Sequence, residues 1–125
     1  MHDLIQDVFI KNFDNPFLNI LGDASLVNLK TSRCAYTTDS FVVKPLFFPG
    51  GDIGKLCVAG TVNDLAVSGA RPIYLSCGMI VEDGFDYDEL QKIVLSIKSE
   101  CNRAGVHIIT GDFKVVEKEQ LIRFL

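Results

Sequence analysis

Apolar positions recur at helical spacing in three stretches of the chain, and between those stretches lie runs with the density and composition of strands. Leu4, Ile5, Val8, Phe9 and Phe13 form one stripe, which predicts an amphipathic helix from Asp3 to about Phe13 that Asp14-Asn15-Pro16 ends. Phe17 to Leu29 mixes apolar residues with Gly22-Asp23 and reads as loop with at most a short strand. Cys34 to Lys44 is rich in tyrosine, threonine, phenylalanine and valine and predicts a strand, within which Asp39 is out of character. Pro49-Gly50-Gly51 turns the chain, and Asp52 is placed to cap a long helix starting near Ile53. Along it Leu56, Ala59, Val62, Ala66 and Ala70 recur at three- and four-residue steps, widened by Val58 and Leu65, so the helix is expected to be buried. Gly54, Cys57, Gly60, Thr61, Asp64 and Ser68 give it a second face of small and polar residues that another backbone or a ligand could approach. Gly69 and Arg71-Pro72 stop it.

Ile73 to Val81 is a continuous apolar run closed by Glu82-Asp83-Gly84 and predicts a second strand. Asp86 is a helix cap with Glu89 three residues on, and Leu90, Ile93, Val94, Ile97 and Cys101 mark the buried stripe of a helix that Gly105 ends. Val106 to Thr110 resumes strand composition, Gly111-Asp112 interrupts it, and Lys114 to Val116 continues it. The final apolar run from Leu121 to Leu125 is strand-like. Helices with one apolar face alternating with strands predict a two-layer α/β sandwich of one domain. The pattern does not decide between parallel and mixed pairing.

Composition narrows the function. A net charge of −4 with no lysine or arginine cluster argues against a nucleic-acid surface, which needs concentrated positive charge. No apolar run reaches the roughly 20 residues of a membrane span, and no basic-then-apolar leader opens the chain, so a cytoplasmic protein is expected. Cys34, Cys57, Cys77 and Cys101 lie far apart, which signals buried reduced thiols and neither a zinc site nor a disulfide framework.

Four acidic residues stand at element junctions: Asp23 after Gly22, Asp39 in Thr37-Thr38-Asp39-Ser40, Asp64 after Asn63, and Asp112 after Gly111, with Lys114 two residues on. Carboxylates drawn from separate elements hold Mg²⁺ against phosphate oxygens, and a nearby lysine neutralises a phosphoryl group. The same residues also serve as strand ends, a solvated helix position and a surface charge, and spacing alone favours that plainer account. Gly50-Gly51 before a helix resembles a phosphate cradle but has neither common nucleotide-loop pattern. His2 and His107 have no recognisable catalytic partner.

Taken together, Tyr36-Thr-Thr-Asp-Ser40, Pro45-Leu-Phe-Phe-Pro-Gly-Gly-Asp-Ile-Gly-Lys55, Gly60-Thr-Val-Asn-Asp-Leu-Ala-Val-Ser-Gly-Ala70 and Gly111-Asp-Phe-Lys-Val-Val116 resemble the HypE family of hydrogenase maturation proteins, from about Asp3 to Glu117. That family falls in the superfamily of aminoimidazole ribonucleotide synthetase (PurM-like), selenophosphate synthetase and thiamine-phosphate kinase. The resemblance implies a PurM-like N-terminal domain, a mixed sheet with helices on one face, spanning residues 1–125, with the second domain and terminal cysteine tail absent from this sequence.

It also implies an activity: ATP-dependent dehydration of a carbamoylated C-terminal cysteine to thiocyanate, for the cyanide ligand of nickel–iron hydrogenase. ATP and Mg²⁺ are the implied cofactors, and the implied partners are a second copy of the chain, a carbamoyltransferase and hydrogenase maturation scaffold proteins. By motif match, Asp39, Asp64 and Asp112 would hold Mg²⁺ and the ATP phosphates, with Asp23 a further metal candidate. Asn63 and Lys114 would contact phosphate or carboxamide, and Asp64 and Lys114 carry the catalytic assignment. The exposed-looking Leu46-Phe47-Phe48 suggests the dimer contact. The chain departs from the family in lacking the glycine-rich segment before the first helix and in having Phe113 where the family has threonine, which is expected to remove a hydroxyl from the site. The chain alone is therefore expected to be inactive and to bind ATP weakly or undetectably. Another ATP-using member of the superfamily and a non-catalytic dimerisation or docking domain are the alternatives.

Overall fold

The structure, a computed structural model, describes residues 1–118, so the apolar end at residues 121–125 lies outside the described residues. The first helix, α1, runs over residues 2–13 and is α-helical at His2–Leu4 and Lys11–Phe13 but π-helical at Ile5–Ile10. Its apolar stripe behaves as the spacing predicts: Val8 is fully buried and Leu4, Phe9 and Phe13 pack around it. Asn15, in the turn that ends α1, has a larger role than the turn composition suggests. Its buried amide donates to the carbonyls of Phe13 and Ile108, both at 2.8 Å, and its Oδ1 accepts from the N–H groups of Phe17 and Leu18 at 3.1 and 3.0 Å. One side chain thus ties the end of α1 to a distant strand.

After a 3₁₀ turn at Leu18–Ile20 the chain runs without regular secondary structure to the short antiparallel pair β1 (Phe47–Phe48) and β2 (Gly51–Asp52). The strand expected at Cys34 to Lys44 does not form. Its residues have strand composition, but none of the described strands lies beside them, and an extended segment without a ladder has no hydrogen bonds to hold it as a strand. Leu46, Phe47 and Phe48 also differ from expectation: all three are half-buried, and Leu46 and Phe47 pack on the core. The most exposed large apolar side chains of this irregular segment are Leu26, Tyr36 and Val42, at 90%, 88% and 82% exposure.

The rest is a βαβ unit with one more helix laid against it. Helix α2 (Ile53–Val67) leads to β3 (Tyr74–Glu82), α3 (Tyr87–Ala104) and β4 (His107–Val116), and β3 pairs with β4 in parallel. Parallel and antiparallel pairing thus both occur, in separate two-stranded sheets. The caps are those the sequence predicts. Asp52 accepts from the N–H of Lys55 and Asp86 from that of Glu89, both at 2.9 Å, and Gly69 and Gly105 take the left-handed conformation past the helix ends. Gly111-Asp112 does not interrupt the last strand. The irregularity falls earlier, where Ile109 is one residue too many against the Leu75/Ser76 step.

Helix α2 buries only part of the face expected: Val58 is buried and Val62 packs on the core, joined by Gly54 and Cys57 from the small, polar face, while Leu56, Ala59 and Ala66 are exposed. Apolar residues on every side leave the pattern with no direction, so close approach decides. A Cβ at Gly54 would sit 2.4 Å from the Ile93 carbonyl oxygen, so only a glycine lets α3 come this near. Ile93, Ile97 and Cys101 of α3 and Val106 and Ile108 complete the core, and a second cluster of Val8, Leu90 and Val94 seats α1.

Candidate functional site

Strand alternation and the β3–β4 register define two faces of the parallel sheet. Leu75, Cys77 and Met79 turn toward the helices and pack on the core. On the opposite face Ser76, Gly78 and Ile80 stand exposed, and Gly78 and Ile80 lie in register with Asp112 and Lys114, also exposed. Lys114 Nζ is 2.6 Å from Asp112 Oδ1, with both side chains about two-thirds exposed at 63% and 64%. The hydrogen bond from Lys114 holds the Asp112 carboxyl below its usual range. A flat, open patch carrying one carboxylate and one ammonium can meet a phosphate or a metal–phosphate complex from solution.

Gly111 sets how close the strands lie, since a Cβ there would be 2.5 Å from the Cys77 carbonyl oxygen. Phe113 points the other way from its neighbours. Its ring centroid is 5.2 Å from that of Phe9 in α1, and it packs with the cluster around Val8. The expectation that Phe113 removes a hydroxyl from the Asp112–Lys114 site is therefore corrected: at this position the side chain lies under the sheet, away from the pair.

The other predicted residues are placed on separate elements. Asn63 and Asp64 are exposed near the end of α2. Asp39 is exposed in the irregular segment and accepts the N–H of Ser40 at 2.9 Å, a local turn contact that gives it a structural reason to be there. Asp23 is exposed in the loop after the 3₁₀ turn. Among the described residues, no three His, Cys, Asp or Glu side chains stand together as a metal-binding group.

The start of α2 is occupied by the chain itself. Asp52 is 5% exposed, and its two oxygens take the Lys55 N–H and, at 2.5 Å, the Ser96 hydroxyl of α3, while Lys55 Nζ donates to the Gly50 carbonyl at 2.9 Å. The carboxylate stands where a bound phosphate would, so the Gly50-Gly51 turn braces α2 on α3 and is not a free phosphate cradle. In the sequence Asp52 was legible only as a cap, and nothing singled out Ser96.

Three of the four thiols lie in the core, as expected of buried reduced cysteines: burial raises the pKa of Cys57, Cys77 and Cys101, with Cys57 and Cys101 at about 12 from 9.0. Cys34, expected to be buried with them, is exposed, because the segment it opens forms no strand against the core. Among the described residues no helix is long and apolar enough to cross a membrane.

A parallel sheet with helices under one face and a carboxylate–lysine pair on the other is thus the frame of the candidate site. The chain belongs to the family of AIR synthase related proteins, N-terminal domain, which residues 21–124 match. Within it the chain is 49% identical over 118 residues to the carbamoyl dehydratase HypE of Rhizobium leguminosarum bv. viciae, covering 94% of this chain and 34% of that protein. Among solved structures it is similar to the hydrogenase maturation protein HypE in complex with ATP, at TM-score 0.93 and 52% identity, covering 98% of this chain and 36% of the other. It is also similar to a chain of a HypE–HypF complex, at TM-score 0.67 and 48% identity over 96% of this chain and 38% of the other. The chain spans about a third of the length of these relatives.

Proposed function

We propose that the chain is the nucleotide-binding, N-terminal part of an ATP-dependent carbamoyl dehydratase that supplies the cyanide ligand of nickel–iron hydrogenase. The observation that carries this reading is the likeness of nearly the whole chain to a HypE structure solved with ATP. In the whole protein a carbamoyltransferase would place a carbamoyl group on a terminal cysteine, in keeping with the HypE–HypF complex among the similar structures. Phosphorylation of the carboxamide oxygen and loss of phosphate would then leave a nitrile carbon on sulfur, for passage to maturation scaffold proteins in the cytoplasm.

Phosphoryl transfer is mostly positioning and charge neutralisation, and the exposed side chains supply both. Lys114, held by Asp112, offers an ammonium to a phosphate or to the developing carboxamide charge, and Asn63 offers amide donors. Asp39, Asp64 and Asp112, with Asp23 as a further candidate, are exposed carboxylates that a hydrated cation could reach, Asp112 keeping its second oxygen beside the one that Lys114 holds. Magnesium takes one or two carboxylates along with phosphate oxygens and water, so separate carboxylates fit it even without a three-residue cluster. When bound, it would supply charge neutralisation at the phosphates.

A second copy of the chain is the proposed partner of the irregular segment at residues 24–44, whose strand composition and exposed Leu26, Tyr36 and Val42 call for a ladder and an apolar cover.

None of the chain's buried thiols can carry the carbamoyl group, because Cys57, Cys77 and Cys101 sit in the core with raised pKa. The test joins this segment to the remaining length of a relative and reads intact mass with carbamoyl phosphate, ATP, Mg²⁺ and the carbamoyltransferase. A carbamoyl adduct that loses water on ATP addition is expected; an adduct that never dehydrates contradicts the proposal. The chain by itself is expected to show neither.

A further inference from the structure

Two open clefts, of about 90 Å³ and about 160 Å³, border α1, and Phe113 lines both. Ile10 and Cys77 line the first with it, and Leu4 and Leu90 the second. Helix α1 is thus loosely seated: clefts flank its contact with β4, its middle is π-helical, and its ring contact with the strand is Phe9 on Phe113 at 5.2 Å. The next residues on either side of Phe113 are Asp112 and Lys114.

We propose that Phe113 is a positioning residue, fastening α1 to β4 from below and so fixing the backbone from which Asp112 and Lys114 meet a phosphate above. This rests on the reading of that pair as part of the nucleotide site. Removing the ring takes away the Phe9 contact and part of the cluster around Val8, which leaves the middle of the helix less firmly held than its end, where Asn15 ties it to Ile108. Side-chain alternation excludes a direct role, because residue 113 faces away from the pair.

The experiment joins the chain to the remaining length of a relative and compares its wild-type form with Phe113→Thr, Phe113→Leu and Lys114→Ala, reading amide hydrogen exchange in α1 and Mg·ATP affinity by chemical-shift titration. Phe113→Thr is expected to speed exchange in α1 by about tenfold or more and to weaken Mg·ATP binding about threefold or more. Phe113→Leu, which keeps an apolar side chain but no ring, is expected to change both in the same direction by a smaller factor, and it carries the comparison if Phe113→Thr does not fold. Lys114→Ala is expected to weaken binding and leave α1 exchange unmoved. Unchanged α1 exchange in both Phe113 variants overturns the anchor, and fast exchange with unchanged affinity overturns the positioning role. A joined wild-type form that binds no Mg·ATP, or a joined Lys114→Ala form that binds as well as wild type, overturns the underlying nucleotide reading and the positioning role with it.

Discussion

Asp52→Ala should be the most destabilising polar substitution among the residues described, and the structure gives its size. The carboxylate is 5% exposed and serves two elements, capping α2 through the Lys55 N–H and holding α3 through the Ser96 hydroxyl at 2.5 Å. Loss of a side-chain cap costs about 1 kcal/mol, and loss of a hydrogen bond to a buried carboxylate about 2 more. A total of about 3 kcal/mol is a large part of the roughly 5–15 kcal/mol that holds a domain of this kind together. For a chain of this length it should lower Tm by about 10 °C, read by calorimetry, and lower the urea midpoint with the slope unchanged. Asp52→Asn keeps the cap and should lose only about half as much. Ser96→Ala should lose about 1–2 kcal/mol, and the double variant should cost less than the sum, because one hydrogen bond is counted in both. A loss below about 1 kcal/mol for Asp52→Ala, or a cycle that closes additively, would refute the view that one carboxylate clamps the two helices.

Gly54→Ala should destabilise by about 1–2 kcal/mol despite the better helix propensity of alanine, since its Cβ would meet the Ile93 carbonyl at 2.4 Å; urea unfolding reads it. Gly60→Ala should cost less, because the obstacle at 2.7 Å is the Phe41 ring, which can turn aside. Native-state alkylation near neutral pH should label Cys34 alone, with Cys57, Cys77 and Cys101 reacting only after unfolding, as peptide mass mapping would show. Because burial raises the folded-state values of Cys57 and Cys101 above 9.0, their contribution to stability is full below pH 9.0 and is lost as pH rises toward about 12; denaturation at stepped alkaline pH checks the sign. Asp64→Asn and Lys114→Ala, placed in the whole enzyme, should each abolish ATP-dependent dehydration while leaving Tm unchanged, since both side chains are exposed; unchanged turnover returns that residue to a surface role.

The elements with their own local signals were legible in the sequence. Asp86 and Gly105 frame α3, and its stripe from Leu90 to Cys101 is buried as the spacing predicts, because a charged opposite face leaves only one way to turn. Helix α2 carried no such contrast, and its buried side was set by a tertiary contact at Gly54 that no periodicity encodes. The segment at Cys34 to Lys44 failed for the complementary reason: strand propensity is a preference for a pleated surface, and a ladder needs a neighbour that local sequence does not contain. At the candidate site the motif residues were visible as types, and Asp112–Lys114 did meet. That Phe113 faces the opposite layer follows from simple alternation, and it was obscured because Gly111-Asp112 reads as a break when it lies inside one continuous strand. Asn15 gave no signal, as its partner Ile108 is 93 residues away.

The account's central claim, that this chain supplies exposed carboxylates and Lys114 to a nucleotide site, is tested most directly by mapping Mg·ATP by chemical-shift perturbation onto the chain, labelled and joined to the remaining length of a relative. The expected result is a saturable set of shifts confined to the segments around Asp39, Asn63-Asp64 and Asp112–Lys114, diminished by Lys114→Ala. No shifts at millimolar nucleotide, or shifts confined to the clefts beside α1, would contradict it.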